Sequence, residues 1–151
     1  MIRDLTYDDL PQLLELAREM HRTGVYAAYP MDEARVAYVL TRLIEVPEAL
    51  SIGYESKGEL VGAFVGEVVQ DLWVDVRVGV NQLLYVQQSR RSSGAGVKLI
   101  RHFENWAQNA GADRLAFSLY AGINDDRTAR ALIKLGYHQN GGGFNKGLDD
   151  G

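Results

Sequence analysis

Cysteine is absent from this 151-residue chain, and several other features that define protein classes are scarce or missing. Without cysteine there are no disulfides, no thiolate zinc sites and no cysteine nucleophile. Histidine occurs only three times, and neither His21 nor His102 has a partner at the spacing of a metal ligand pair. No apolar run approaches the roughly 18 residues of a membrane span. We therefore expect no metal site and no membrane-spanning segment.

Positive charge is also in short supply, because sixteen basic side chains face twenty acidic ones and leave a net charge of -4. This balance makes bulk electrostatic attraction to nucleic acid or to an anionic membrane unfavourable. The first residues, Met1 to Asp4, lack the basic stretch and apolar core of a signal peptide. We therefore expect a cytoplasmic protein that does not bind nucleic acid.

The composition that remains is that of an ordinary globular domain. The chain is 46% apolar and 24% charged, which argues against global disorder. A chain of this length buries about 68–70% of its unfolded surface, enough for a core without disulfides or metal. We find no linker, internal repeat or low-complexity block, and predict a single domain over residues 1–151.

Hydrophobic periodicity predicts a mixed α/β (α+β) domain around one sheet. Helical spacing predicts about four helices, on the two faces of the sheet, within residues 8–20, 32–45, 97–110 and 124–135. Runs of β-branched and aromatic residues predict six to seven strands, at residues 2–6, 50–54, 60–69, 73–80, 81–86, 115–120 and 137–148. The strand–loop–helix–strand unit at 81–120 predicts two parallel strands with a right-handed crossover.

Local signals add detail to this scheme. The sequence Ser56-Lys57-Gly58-Glu59 predicts a hairpin turn, and Asp32 is placed to cap the second helix. Three aromatic residues, Trp73, Phe103 and Trp106, are expected in the core. Residues 26–30 contain two tyrosines and end in a proline, which fits either a substrate-binding lip or a packed connector.

Glycine and positive charge are concentrated at residues 90–98, between a predicted strand and a predicted helix. Glycine lets the backbone approach a ligand closely, and the free N–H groups at a helix start attract anions. We therefore predict a phosphate or pyrophosphate site here. A nucleotide P-loop is excluded because Lys98 follows Val97 rather than glycine, and position 99 is not the third glycine of a dinucleotide fingerprint. The remaining pattern is Arg-x-x-Gly-x-Gly.

Together with its surroundings, this loop resembles the GCN5-related N-acetyltransferase (GNAT) family. The shared features are an apolar residue five positions before the arginine, the glycine loop, and an Asn-led helix ending in Leu-Gly-Tyr. Here these are Val86, Arg91, Gly94, Gly96, Asn124, Leu135, Gly136 and Tyr137. The order of elements fits over nearly the whole chain. The short form, with Trp106-Ala107 and residues 124–128, most resembles acetyltransferases of tailed-phage and prophage genomes.

This resemblance implies an acetyl-coenzyme A-dependent N-acetyltransferase that moves acetyl to an amine by direct transfer in a ternary complex. The acceptor would be a protein lysine or N-terminus or a small amine, and a host protein for a phage-borne enzyme. The fold implied is a mostly antiparallel twisted sheet whose central parallel pair is splayed for acetyl-coenzyme A. The residues implied in cofactor binding are Leu84, Tyr85, Val86, Arg91, Ser92, Ser93, Gly94, Ala95, Gly96, Val97, Asn124 and Arg127.

The catalytic positions depart from the family pattern. Many relatives place a tyrosine acid four residues before the glycine of Leu-Gly-Tyr, and here that position is Leu132. Several relatives carry a base carboxylate on the strand before the loop, but residues 81–85 contain none. We predict Glu67 on the neighbouring strand as the base, directly or through water. Tyr120 is the second choice, as an acid or substrate contact, and Tyr85, Ser118 and Tyr137 are further candidates.

Two other readings of the sequence remain open. The substitution at Leu132 and the strand without a carboxylate also suit a non-catalytic acyl-coenzyme A-binding or protein-interaction module. A toxin that acetylates aminoacyl-tRNA is disfavoured by the acidic net charge. A final strand loosened by glycines 141–143 would also permit pairing or swapping with a second copy, giving a homodimer.

Overall fold

The computed structural model describes residues 1–91, 93–119, 125–141, 144 and 146–148, and in them the chain forms a single sheet with helices on both faces. The strands are β1 (Ile2–Asp4), β2 (Ala49–Ser56), β3 (Glu59–Gln70), β4 (Arg77–Val86) and β5 (Arg114–Ala116). The helices are α1 (Leu10–Thr23), α2 (Glu33–Glu45), α3 (Ala95–Asn109) and α4 (Asp125–Lys134). In these residues no helix is long and apolar enough to cross a membrane.

The strands lie in chain order, β1-β2-β3-β4-β5, and only the last pair is parallel. The parallel pairing of β4 with β5 across α3 confirms the predicted crossover unit. The β2–β3 hairpin is also confirmed, since Lys57 and Gly58 have φ angles of 54° and 79°, as a two-residue type I′ turn requires. Asp32 accepts a hydrogen bond from the Arg35 N–H at 3.0 Å and caps α2 as predicted.

Each face of the sheet buries its own apolar cluster. The cluster under α1 and α2 contains Leu5, Leu13, Leu16, Leu40, Leu60, Ala63 and Tyr85. The cluster under α3 contains Leu50, Ile52, Phe64, Leu99, Phe103 and Ala107. The rings of Phe64 and Phe103 stack with centroids 4.6 Å apart, which ties α3 to the middle of β3. The start of α3 is thereby held at the end of β4.

The sheet has five strands in the described residues, so the prediction of six to seven strands is wrong. The predicted strands at 73–80 and 81–86 form one strand, β4, with a bulge. Its pairing with β3 shifts from Val65↔Leu83 to Gly66↔Asn81, which leaves Gln82 as the extra residue. A bulge bends a strand without ending it. The described part of 137–148 contains no strand, and Gly141, at φ 61°, lies in a conformation that strands do not use.

Trp73 is not a core residue, because 91% of its surface is exposed. It lies in the turn between β3 and β4, where the Asp71 carboxylate accepts hydrogen bonds from the N–H groups of Trp73 (2.8 Å) and Val74 (3.2 Å). This local turn competes with the strand that the apolar run suggested and directs Trp73 to solvent. Phe103 is buried as predicted, and the half-buried Trp106 stacks on it at 5.9 Å.

Candidate active site

The segment from Arg90 to the start of α3 forms the predicted glycine loop. Gly94 precedes the helix with φ 79°, a left-handed conformation that favours glycine. The N–H of Lys98 makes the first helical hydrogen bond, to the Gly94 carbonyl at 3.1 Å. The N–H groups of Gly96 and Val97 come before it, in the turn where a helix offers no acceptor. They point where the helix dipole is positive, which suits an anion.

Gly96 has a different reason to be glycine. Its φ is not left-handed, and among the described residues an added Cβ would meet only Val86 Cγ2, at an ordinary contact distance of 3.7 Å. Packing within the protein therefore does not require glycine here, and glycine is a poorer helix former than alanine. A ligand that comes close to the backbone at the helix start does explain it.

Arg91 is held between this loop and the end of β4. Its Nε donates to the Val86 carbonyl at 3.2 Å, and its guanidinium carbon lies 5.2 Å from the centre of the Tyr85 ring. Arg127, on α4, donates to the Arg91 carbonyl at 3.0 Å. Among the predicted cofactor residues, Ser92 and Asn124 lie outside the described residues, as does Tyr120 of the predicted catalytic pair.

Ser93 and Ala95 make local contacts that shape the loop. The Ser93 hydroxyl donates to the Arg90 carbonyl at 2.6 Å and accepts a long hydrogen bond, 3.4 Å, from the Ala95 N–H. The Ala95 side chain is buried against the sheet. These contacts set the direction in which the chain enters α3, and so the direction of the first-turn N–H groups.

The outer part of β4 presents one open edge. The Gln87 N–H bonds to the Val61 carbonyl at 2.8 Å, and alternate residues of a strand direct their backbone groups to opposite edges. Leu84 and Val86 therefore turn their N–H and C=O groups away from β3, whereas Tyr85 turns its own toward β3. Pairing with β5 ends at Val80↔Ala116, so the described residues place no strand beside Leu84 and Val86.

Beyond that last backbone pairing, one side chain joins the two strands. Asn81 Nδ2 donates to the Ser118 carbonyl at 3.0 Å, and Asn81 Oδ1 accepts from the Ser118 N–H at 2.9 Å. Asn81 is buried. Beyond Val80 a side chain, rather than a backbone pair, joins the two chains, and we call the space between β4 and the chain that leaves β5 the slot. The parallel pair is confirmed, and its splay for acetyl-coenzyme A stays a prediction.

Glu67 lies on β3, which borders β4 on the side away from its open edge. It pairs across the sheet with Val80, and its Oε1 accepts a hydrogen bond from Gln82 Nε2 at 2.8 Å. The bulge is what brings Gln82 to this position. Val80 to Val86 spans about 20 Å of extended chain, so the glycine loop and Glu67 lie near opposite ends of this part of β4.

Two of the tyrosine candidates, Tyr85 and Tyr137, have a raised pKa. Burial and the nearby Glu19 carboxylate raise the pKa of Tyr85 to about 12, and its hydroxyl donates to Glu19 Oε2 at 2.7 Å, toward α1. Burial and the negative charge of Glu104 raise the pKa of Tyr137 above its usual range. The Tyr137 hydroxyl has no hydrogen-bond partner in the described part of the chain, and its ring packs edge-on against Phe117. The Tyr85 hydroxyl is therefore bound to α1 rather than to the open edge of β4.

A cleft of about 1330 Å³ lies beside β5 and α4, apart from the glycine loop. Its walls include Tyr26 from the α1–α2 connection, Ser118 and Leu119 after β5, and His138. The exposed Tyr26 therefore borders the chain that forms one side of the slot. Leu132, at the position of the family tyrosine, is buried in the wall of this cleft.

Three residues of this arrangement escaped the sequence reasoning: Asn81, Gln82 and Glu19. The sequence analysis used Asn81 and Gln82 only to show that this strand has no carboxylate. A polar pair inside an apolar strand also indicates a bulge, or a buried amide whose hydrogen bonds are all made. Glu19 accepts hydrogen bonds from both the Tyr85 hydroxyl and the Gln88 N–H (3.0 Å). These bonds fix the segment between β4 and the glycine loop to α1. Nothing in the local sequence distinguishes Glu19 from an ordinary exposed helix residue.

Comparison with known proteins decides the family. Residues 10–137 match the model of the acetyltransferase (GNAT) family. This chain belongs to that family. The family uses acetyl-coenzyme A as co-substrate, and the chain is accordingly an N-acetyltransferase. A search of the curated proteins found no match to it.

Solved structures share the fold over almost their full lengths. An aminoglycoside 6'-N-acetyltransferase from Acinetobacter haemolyticus is 21% identical, with a TM-score of 0.73 and 99% of both chains covered. A ribosomal-protein-alanine N-acetyltransferase from Brucella melitensis is 16% identical, with a TM-score of 0.72 and 98% of both chains covered. A protein from Bacillus halodurans described as a transcriptional regulator is 16% identical, with a TM-score of 0.79, covering 98% of this chain and 99% of its own.

Proposed function

We propose that this chain, as one domain over residues 1–151, binds acetyl-coenzyme A along the open edge of β4 and acetylates an amine in a ternary complex. One observation carries the proposal. The first-turn N–H groups of α3 lie at the end of the same strand whose Leu84 and Val86 backbone groups are unpaired by β5. A co-substrate with a charged end and a thin, amide-containing arm matches both parts.

The glycine loop suits the pyrophosphate. The N–H groups of Gly96 and Val97 would donate to its oxygens, with Ser92 to Ala95 shaping the cradle and Arg91 adding charge. Arg127 would act on the loop through the Arg91 carbonyl, and Asn124 would contact the pantetheine arm or a bound water. The missing side chain at Gly96 leaves the approach clear.

The pantetheine arm would pair with β4 as an added strand. Its amide groups need a donor and an acceptor at strand spacing. The N–H and C=O of Leu84 and the N–H of Val86 point to the open edge, whereas the Val86 carbonyl already accepts from Arg91 Nε. Leu84 is the nearer of the two to Glu67, so we assign its N–H to polarise the thioester carbonyl and to stabilise the oxyanion. Tyr85 would contribute through its ring, which positions Arg91.

The chemical step requires an amine without its extra proton, since an alkyl amine has a pKa near 10.4. We assign Glu67 as the base that accepts this proton, directly or through one water, with Gln82 holding its carboxylate. The amine nitrogen then attacks the thioester carbon, the C–S bond breaks, and the coenzyme A thiolate leaves. The second proton, which the nitrogen loses as the amide forms, passes to solvent or replaces the proton that Tyr120 donates. Tyr120 is proposed as the acid that protonates the thiolate or as an acceptor contact.

The acceptor would enter beside Tyr26, whose ring borders the chain that leaves β5. An acidic protein attracts a cationic amine, so a protein lysine, an N-terminus or a small amine suits the surface. If the chain is of the tailed-phage or prophage type, a host protein in the cytoplasm is the acceptor we propose. A homodimer formed through residues 137–148 would place a second copy next to this cleft.

Turnover tests the proposal directly. Coenzyme A release would be followed with lysine peptides, peptides with a free N-terminus, polyamines and aminoglycosides as acceptors. We expect Glu67→Gln to lower kcat about 10²–10³-fold with little change in acetyl-coenzyme A affinity, since a general base acts on the chemical step. Glu59→Gln, at the exposed other end of the same strand, is the control and should keep full activity.

A second candidate function rests on Leu132. An aliphatic side chain buried at the position of the family acid suits a domain that binds acyl-coenzyme A without turnover. Tight binding by the wild type with no coenzyme A release for any acceptor would favour this module over the enzyme. Release that Glu67→Gln leaves unchanged would instead remove Glu67 from the mechanism.

A further inference from the structure

Asn81 is a buried polar side chain at the point where the sheet divides. It follows Val80, the last residue of β4 to pair with β5, and precedes the bulge at Gln82. A buried side-chain amide is retained only where its donor and acceptor are both satisfied. In the described residues Asn81 satisfies both, with the carbonyl (3.0 Å) and N–H (2.9 Å) of Ser118.

The pair of hydrogen bonds has the pattern of a strand ladder but not its width. In a ladder, backbone bonds backbone and the strands lie about 4.8 Å apart. Here the side-chain amide of Asn81 stands in for one peptide group, so the chain at Ser118 is held farther out by the length of a side chain. Because donor and acceptor are both used, the distance and the direction of the displaced chain are fixed together.

We propose that Asn81 is a positioning residue that holds β4 and the chain after β5 apart at the width the acetyl-pantetheine arm needs. The identity of that arm rests on the proposed function, whereas the spacing role rests on the contacts alone. The free protein thus already contains the slot, and binding does not have to break a backbone ladder. Because the slot exists before binding, this preorganisation raises the affinity for the co-substrate.

The alternative to a side-chain spacer is closure of the slot. Without the Asn81 amide, Ser118 has an N–H and a C=O to satisfy, and β4 offers backbone partners at ladder distance. Continuing the ladder by one rung would satisfy them and narrow the slot. Leucine at position 81 removes both hydrogen bonds, and aspartate keeps the acceptor but sets an oxygen against the Ser118 carbonyl.

Three variants separate spacing from general stability. Asn81→Leu and Asn81→Asp change the spacer, the second without a change of shape. Gln12→Met is the matched control, because the Gln12 side chain accepts from the Leu60 N–H at 2.8 Å and so also supports a strand backbone, away from β5. We expect both Asn81 variants to bind acetyl-coenzyme A at least 10-fold more weakly in calorimetry, with Gln12→Met within 2-fold of wild type. The KM for acetyl-coenzyme A should rise and the KM for the amine should not.

Crystal structures of ligand-free wild type and Asn81→Leu provide a readout that does not depend on the co-substrate. A shorter distance from Ser118 to β4 in the variant supports the spacer role. An unchanged distance, or Asn81 variants that bind no worse than Gln12→Met, overturns it. Failure of the wild type to bind acetyl-coenzyme A refutes the proposed function instead, and the measured slot width still decides the role of Asn81.

Discussion

Single residues in this protein divide into those that the fold requires and those that it merely tolerates. Gly94 has a left-handed φ of 79°, so both the fold and a ligand would select glycine there. Gly96 has room for a Cβ at 3.7 Å from its nearest contact, so the fold alone would accept alanine. Glycine at position 96 lowers helix stability, and packing does not require it. It therefore indicates a ligand that approaches the backbone from solvent.

Gly96→Ala therefore separates folding from function. We expect the free energy of unfolding to stay the same or to rise by up to about 1 kcal/mol, because alanine is the better helix former. We expect acetyl-coenzyme A affinity to fall at least 10-fold, because the new methyl group stands in front of the first-turn N–H groups. Urea unfolding and calorimetry measure the two effects, and full affinity in a stable variant would show that no ligand approaches Gly96.

At the scale of elements, the sequence predicted well wherever one segment carries its own signal. The two-residue turn at Lys57 and Gly58, the cap at Asp32 and the glycine loop are local chemistry, and all three are where the pattern placed them. The predicted number of strands was wrong because the point where a strand bends or ends depends on the residues that pair with it. The bulge at Gln82 is defined by its pairing with β3, and the turn that exposes Trp73 depends on the Asp71 carboxylate.

The joint of β1, α1 and β2 has a pH dependence that the structure predicts. Arg3 donates two hydrogen bonds to Asp9 (2.9 and 2.8 Å) and one to Glu55 (2.6 Å). The hydrogen bonds from Arg3, together with one from the Thr6 N–H, hold the pKa of Asp9 below its usual value, against the opposing effect of burial. The unfolded chain, with an Asp pKa of about 3.9, then takes up the proton first as the pH falls.

The stabilisation from Asp9 is therefore complete above about pH 5 and is lost as the pH drops below 4, through the folded-state pKa. We expect Asp9→Asn to lower the free energy of unfolding at pH 7 by about 1–3 kcal/mol, because Arg3 loses a charged partner. The variant should also show a shallower decline between pH 5 and 3. Urea midpoints over that range provide the measurement, and parallel declines for both proteins would exclude this role of Asp9.

On the scale of the whole molecule, the site is built from residues far apart in the chain. The Gln82 side chain donates to Glu67 on the neighbouring strand. Asn81 donates to the Ser118 carbonyl, which follows it in the chain after α3. The Tyr85 hydroxyl donates to Glu19 on α1. The sequence predicted the loop because its residues are contiguous, and Glu67 was proposed from its position on a neighbouring strand. It did not identify the partners that hold these groups, since such pairing is set by sheet register and helix packing.

The central claim is that the start of α3 and the edge of β4 form one acetyl-coenzyme A site, and a calorimetric titration tests it most directly. Wild type would be compared with an Arg91→Glu, Gly94→Glu double variant and with Arg42→Glu, an exposed charge reversal on α2, all checked for folding. The account predicts saturable binding by wild type and Arg42→Glu and none by the double variant. Equal binding by all three, or no binding by folded wild type, would contradict it.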